Sequence, residues 1–116
     1  MEPYPILLGG EKKETQEIIQ VRFPYTGELY CTVCQATNND LKTAVTRAVA
    51  GFGKTKHLST HARAEILSNL ADEIHRRAAE LVDVMIMEGG KTRKFATTEV
   101  ARAEVTVRTS AEEVKR

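Results

Sequence analysis

The chain has no tryptophan, and aromatics make up only 5% of its 116 residues, so any core must be assembled from Ala, Val, Ile and Leu. It has no charge excess of either sign. The formal net charge is +1, without the basic surplus that marks a dedicated nucleic-acid binder. No apolar run approaches the roughly 18 residues of a membrane span. The opening Met1-Glu2-Pro3-Tyr4-Pro5 has no basic region, and Ile6-Leu7-Leu8 is too short for a signal-peptide core. Two cysteines do not make a disulfide framework, so a reduced, cytoplasmic setting is the expectation. There is no internal repeat, low-complexity tract or linker. Hydrophobic residues at 41% and charged residues at 28% give the balance of one small soluble domain with a modest core.

Residues 4–36 read as β structure. Tyr4 to Leu8 is a short apolar stretch ended by the turn signal Gly9-Gly10, and Lys12 to Gln16 reads as a polar loop. Ile19, Val21 and Phe23 then alternate with Ile18, Gln20 and Arg22, the period of a strand. Pro24-Tyr25-Thr26-Gly27 breaks the run, because Pro fixes φ and Gly allows it to be positive. A second alternating run places Leu29, Cys31 and Val33 on one face and Tyr30, Thr32 and Cys34 on the other. Two strands about such a turn predict a hairpin.

Residues 38–116 read as three helices. Asn38 or Asn39 is the expected cap of the first, with Asp40 favoured in its first turn by the helix dipole. Leu41, Ala44, Val45, Ala48, Val49 and Phe52 form its apolar stripe, and Gly51 and Gly53 are expected to end it. The second begins near Ser59 or Thr60 and runs to Gly89-Gly90, with Ile66, Leu67, Leu70, Ile74, Ala78, Leu81, Val82 and Met85 on one face. Asp72/Arg76 and Glu73/Arg77 sit four apart, acid first, the better orientation for surface pairs. The third starts near Thr92 and carries Ala96, Val100, Ala103, Val107, Ala111 and Val114, with Glu104/Arg108 and Glu112/Arg116 as pairs. No Gly, Asn or Pro stop follows Val114, which suggests a truncated helix as readily as a frayed natural end.

Several segments imitate reactive motifs. Ala48-Val49-Ala50-Gly51-Phe52-Gly53-Lys54-Thr55 fits a loose P-loop pattern, but it follows a helix where a P-loop follows a strand. A phosphate there would face the negative end of the helix dipole, so a capping role is the better reading. Gly89-Gly90-Lys91-Thr92-Arg93-Lys94 opens a helix, yet Met85 stands at its first P-loop position; an inter-helix turn with solvated cations accounts for it. Cys31-Thr32-Val33-Cys34 is a single C-x-x-C in a strand. Zinc needs four ligands, and an odd separation sends the two sulfurs to opposite faces. His57 and His61 flank the cap at Ser59, His75 lies on a helix flank, and Asp72-Glu73 and Glu112-Glu113 fall on solvated faces. The residues themselves describe a scaffold and no reaction: catalytic, cofactor-binding and metal-ligating residues are all read as none.

The order of the signals adds to this. Leu7-Leu8-Gly9-Gly10-Glu11 followed by Val21-Arg22-Phe23-Pro24-Tyr25-Thr26-Gly27-Glu28 resembles the N-terminal strands of NAD(P)-dependent aldehyde dehydrogenases. Asn39-Asp40-Leu41 leading to Ala48 and Phe52 resembles the family's first helix, and Arg63-Ala64-Glu65-Ile66-Leu67 with Leu70-Ala71-Asp72 resembles its second. Glu88-Gly89-Gly90-Lys91 resembles the family's E-x-G-K break, and Glu99-Val100-Ala101-Arg102 the start of the next helix. No one motif is highly specific; six in order at family spacing are. The chain departs where the family usually has Trp shortly after Phe52, here Gly53-Lys54-Thr55, and where it has Pro after Gly-Lys, here Thr92.

The resemblance implies an α+β fragment of a parent α/β aldehyde dehydrogenase-like fold with a Rossmann-type cofactor domain. Residues 1–116 would be the N-terminal part of that domain, with hairpin strands in 4–36 and three helices in 38–116. The family is an oxidoreductase family: a cysteine thiolate attacks the aldehyde carbonyl, hydride passes to NAD or NADP, and a Glu-activated water hydrolyses the thioester. An Asn side chain and a backbone N–H hold the oxyanion. All of these groups lie downstream of the matched positions, and Cys31 and Cys34 correspond to second-strand positions. The chain alone is therefore expected to be inactive and to bind no cofactor. Its expected partners are the remainder of the parent, or itself through exposed helix faces near subunit contacts, with the stripe of the third helix as the uncovered face. Neither nucleic acid nor membrane is expected. A truncated, non-catalytic interaction or oligomerisation module is the alternative.

Overall fold

A computed structural model describes residues 2–116. The elements, in order, are β1 (Ile6–Leu8), β2 (Glu11–Lys13), β3 (Ile18–Arg22), β4 (Leu29–Cys34), α1 (Asn38–Thr55), α2 (Thr60–Arg76), α3 (Ala78–Gly89) and α4 (Arg93–Glu113). They fall into two units, one ending at His57 and one running from Leu58 to Arg116. The helical stretch expected from residue 38 onward is thus divided, with α1 grouped with the strands.

In the first unit β1 and β2 pair antiparallel, with Leu8 opposite Glu11. Gly9 and Gly10 form the connection with φ of 62° and 88°. Two successive positive φ values are what a two-residue hairpin turn requires, and glycine adopts them without a Cβ clash. That turn corrects the reading of Lys12 to Gln16 as a loop: it folds Glu11–Lys13 back onto β1, although all three residues are exposed and show no alternation. β3 and β4 form the expected hairpin, with Ile18 opposite Cys34 and an irregularity between Val21 and Arg22. Its turn closes by hydrogen bonds from Gly27 N–H to the Phe23 carbonyl (2.8 Å) and from Phe23 N–H to the Glu28 carbonyl (2.9 Å). Tyr4 adds to the other edge of β4, donating to the Thr32 carbonyl and accepting from Cys34 N–H, each at 2.8 Å.

α1 starts one residue earlier than Asn38 or Asn39 would cap it. Thr37 is the N-cap, and Thr37 and Asp40 close a capping box. Gly51 and Gly53 do not end the helix, which continues to Thr55. Neither has positive φ, so neither makes the left-handed turn through which a glycine stops a helix.

The second unit holds three helices where two were expected. Ser59 caps α2, its hydroxyl accepting from Ala62 N–H. The helix then breaks at Arg77 (φ −101°, ψ 14°), which ends α2 and begins α3. Arg77 is neither Gly nor Pro, so no local stop signal announces the break. Packing supplies the reason: both α2 and α3 lie against α4, and a bend lets each present its apolar residues there. Arg76 holds Glu73 and Arg77 holds Glu80, bracketing the bend with ion pairs. Gly90, at φ 63°, ends α3 as expected, and Thr92 precedes α4. The core is Val82, Ala96 and Val100, with Ile74, Ala78, Leu81, Met85 and Ile86 packed on it. The α4 stripe is largely covered: Ala96, Val100 and Ala111 are buried and Val107 and Val114 half-buried, while Ala103 is exposed. The uncovered stripe belongs to α1, where Leu41, Val45, Val49 and Phe52 are 57–69% exposed.

Candidate functional site

The most desolvated charged group among the described residues is Asp40, 2% exposed in the first turn of α1. The capping box places it. Thr37 N–H and the Thr37 hydroxyl donate to one carboxylate oxygen at 2.9 and 2.7 Å, and Asp40 N–H donates back to that hydroxyl at 3.2 Å. Lys13, from β2, brings its ammonium to the other oxygen. The Lys13 bond first, then the Thr37 backbone and side-chain bonds, hold the Asp40 pKa down to about 2, against the opposing effect of burial. Such a carboxylate is ionised and fully engaged at neutral pH, which makes it a poor proton acceptor and a good structural anchor. A hollow of about 290 Å³ beside it is lined by polar residues including Glu14, Glu17 and Gln35.

A second clasp holds α1 to the first hairpin. Arg47 donates to the Leu8 carbonyl at 2.6 Å and to Glu11 at 2.9 Å. Its side chain crosses Gly9 so closely that a Cβ there would lie 2.3 Å from the Arg47 Cδ.

The motif-like segments fall as follows. Cys31 and Cys34 are in no disulfide, and both are buried in β4. Cys34 Sγ accepts from Thr15 N–H at 3.4 Å. No group of three or more His, Cys, Asp or Glu side chains that could hold a metal occurs among the described residues. Gly51 to Thr55 lie inside α1, so the loop that would cradle a phosphate is helix. At the α3–α4 junction Lys91 pairs with Glu99, and Arg93 with Asp83 at 2.9 Å. Neither glycine segment stands between a strand and a helix N-terminus, the setting of the P-loop and Rossmann phosphate sites.

His75 on α2 meets Glu104 on α4 at 3.0 Å. Arg108 reaches both Glu104 (3.0 Å) and Asp72 (2.8 Å). The His75 bond first, then that of Arg108, lowers the Glu104 pKa, and Asp72 and Glu104 raise that of Arg108. Asp72 thus pairs between helices and not with Arg76, while Glu73 pairs with Arg76 three apart and, as expected, with Arg77 four apart at 4.0 Å. The terminal pairs are Glu112 with Lys115 and Glu113 with Arg116, in place of Glu112 with Arg116. An apolar hollow between α3 and α4, about 360 Å³, is lined by Leu81, Val84, Met85, Val100 and Ala103 together with Ile74 and Glu99. Its one titratable lining side chain, Glu99, is paired with Lys91.

Sequence reasoning missed Lys13 and Arg47, because nothing near them in the chain marks their partners. It also missed the Thr37 cap, although Thr37-Asn38-Asn39-Asp40 carries a legible capping signal.

The geometry is one of tight hairpins and four helices, α1 and α2 side-chain-capped, with ionic clusters that join one element to the next. The aldehyde dehydrogenase family model matches residues 11–116, and the chain belongs to that family. It is 33% identical over 113 residues to 3-sulfolactaldehyde dehydrogenase of Priestia megaterium, covering 97% of this chain and 23% of that enzyme. Among solved structures, NADP-dependent glyceraldehyde-3-phosphate dehydrogenase of Bacillus halodurans, complexed with NADP, superposes with a TM-score of 0.94 at 25% identity, over 100% of this chain and 25% of that one. Aldehyde dehydrogenase 21 of Physcomitrella patens, in complex with the reaction product succinate, gives 0.91 at 29% identity over 97% and 24%. The chain thus spans about a quarter of the length of the relatives it matches. No helix among the described residues is long and apolar enough to cross a membrane.

Proposed function

We propose that this chain is the N-terminal scaffold segment of an NAD(P)-dependent aldehyde dehydrogenase. The parent oxidises an aldehyde to a carboxylate with a cysteine nucleophile located outside residues 1–116. Its location is cytoplasmic, a reading supported by two cysteines that form no disulfide. The segment contributes hairpins and helices to the parent's cofactor domain, and catalytic, cofactor and metal residues lie elsewhere. The observation that carries the proposal is the disparity in coverage: nearly the whole chain matches, and only 23% of the relative is matched. The site agrees with it. Both cysteines are buried strand residues, and a nucleophilic cysteine must be accessible and ionisable.

The test is to incubate the 116-residue chain with NAD or NADP and a panel of aliphatic and aromatic aldehydes. No reduced cofactor is expected, and turnover above a no-protein control would overturn the proposal. Reading the DNA after the codon for Arg116 is the complement: an in-frame continuation encoding a cysteine nucleophile is expected.

One observation favours the second reading, a non-catalytic interaction or oligomerisation module. The exposed α1 stripe is an apolar strip about three turns long, and contiguous exposed apolar surface favours association. The expected uncovered face moves from the third predicted helix to the first, because α2 and α3 cover α4. Under this reading the isolated chain elutes as an oligomer on size exclusion, and Val45→Lys with Val49→Lys returns it to a monomer. A monomer at high concentration before any substitution would dismiss it.

A further inference from the structure

We draw no further inference here: the strongest candidate, the exposed apolar stripe of Leu41, Val45, Val49 and Phe52 along α1, carries none because nothing in the structure shows what covers it.

Discussion

In the unit from Leu58 to Arg116 the buried side chains are Ala64, Ala71, Val82, Ala96, Val100 and Ala111, contributed by three helices that face one another. In the unit ending at His57 they are Leu8, Cys31, Cys34 and one carboxylate, Asp40. The helical unit is held mainly by apolar packing. Alanines at the contacts let the helices approach closely, and the His75–Glu104–Arg108–Asp72 pairs lie on its exposed margin. The strand-rich unit is held by hydrogen bonds and charge: the two hairpin ladders, the capping box, and the Lys13 and Arg47 clasps. Its larger apolar side chains, from Leu7 through Ile18 and Ile19 to Phe52, point outward. One small chain thus contains a unit with an internal apolar core and a unit with little of one, and both expose large apolar side chains, the helical unit at Ile66, Leu70, Phe95 and Val105.

The sharpest way to break this contrast is to place a charge in the helical core. Val100→Asp puts a carboxylate among Val82, Ala96 and the side chains around them, where it has no partner. Burying an unpaired charge costs about 3–5 kcal/mol. Hydrogen exchange should show α2, α3 and α4 losing protection together; unchanged protection would mean that this cluster does not hold the unit. In the strand-rich unit, Gly9→Ala forces a side chain into positive φ against Arg47. The expected loss is about 1–2 kcal/mol by urea unfolding, and a midpoint equal to that of the parent chain would remove the Arg47 clasp from the account.

Acid should act next, through Asp40 in the strand-rich unit and also through Glu73, Glu80 and Glu104 in the helical unit, whose pKa values are likewise lowered. The Asp40 pKa falls from its ordinary 3.8 to about 2 in the folded chain. Its stabilisation is therefore present above about pH 4 and is lost as pH falls through about 2. Asp40→Asn should flatten that stretch of the stability curve; an undiminished slope in the variant would assign the acid sensitivity to other carboxylates. The smallest effect is expected at Glu104→Gln. The network it joins is largely solvated, and ion pairs of this kind contribute little. Its thermal midpoint should stay within measurement scatter of the parent chain, and a large drop would show that the margin of the helical unit matters as much as its core.

Legibility in the sequence followed the range of the interaction. Gly9-Gly10, Pro24 to Gly27, Ser59 and Gly90 each act through their own backbone or a neighbour within a few residues, and all four fell where a turn or cap was expected. Gly51 and Gly53 misled because a glycine permits a left-handed stop without requiring one, and here both remain helical. The break at Arg77 was invisible because its cause is α4, which lies beyond the helix it bends. Of the ionic clusters, Glu104 with Arg108 was readable at helical spacing, whereas Lys13 with Asp40 joins residues 27 apart.

The sequence by itself determined the local grammar and the family: which segments other than β2 are strand and which are helix, where most of them start and stop, and the order of weak motifs that marks an aldehyde dehydrogenase. These are settled by short-range sterics, capping and periodicity, which travel with the residues. Only the tertiary structure decided which apolar stripe is covered and which is left bare, where the long helix bends, and which distant cation meets the buried Asp40. Burial and pairing depend on what stands opposite a residue in space, and periodicity says only that a face exists.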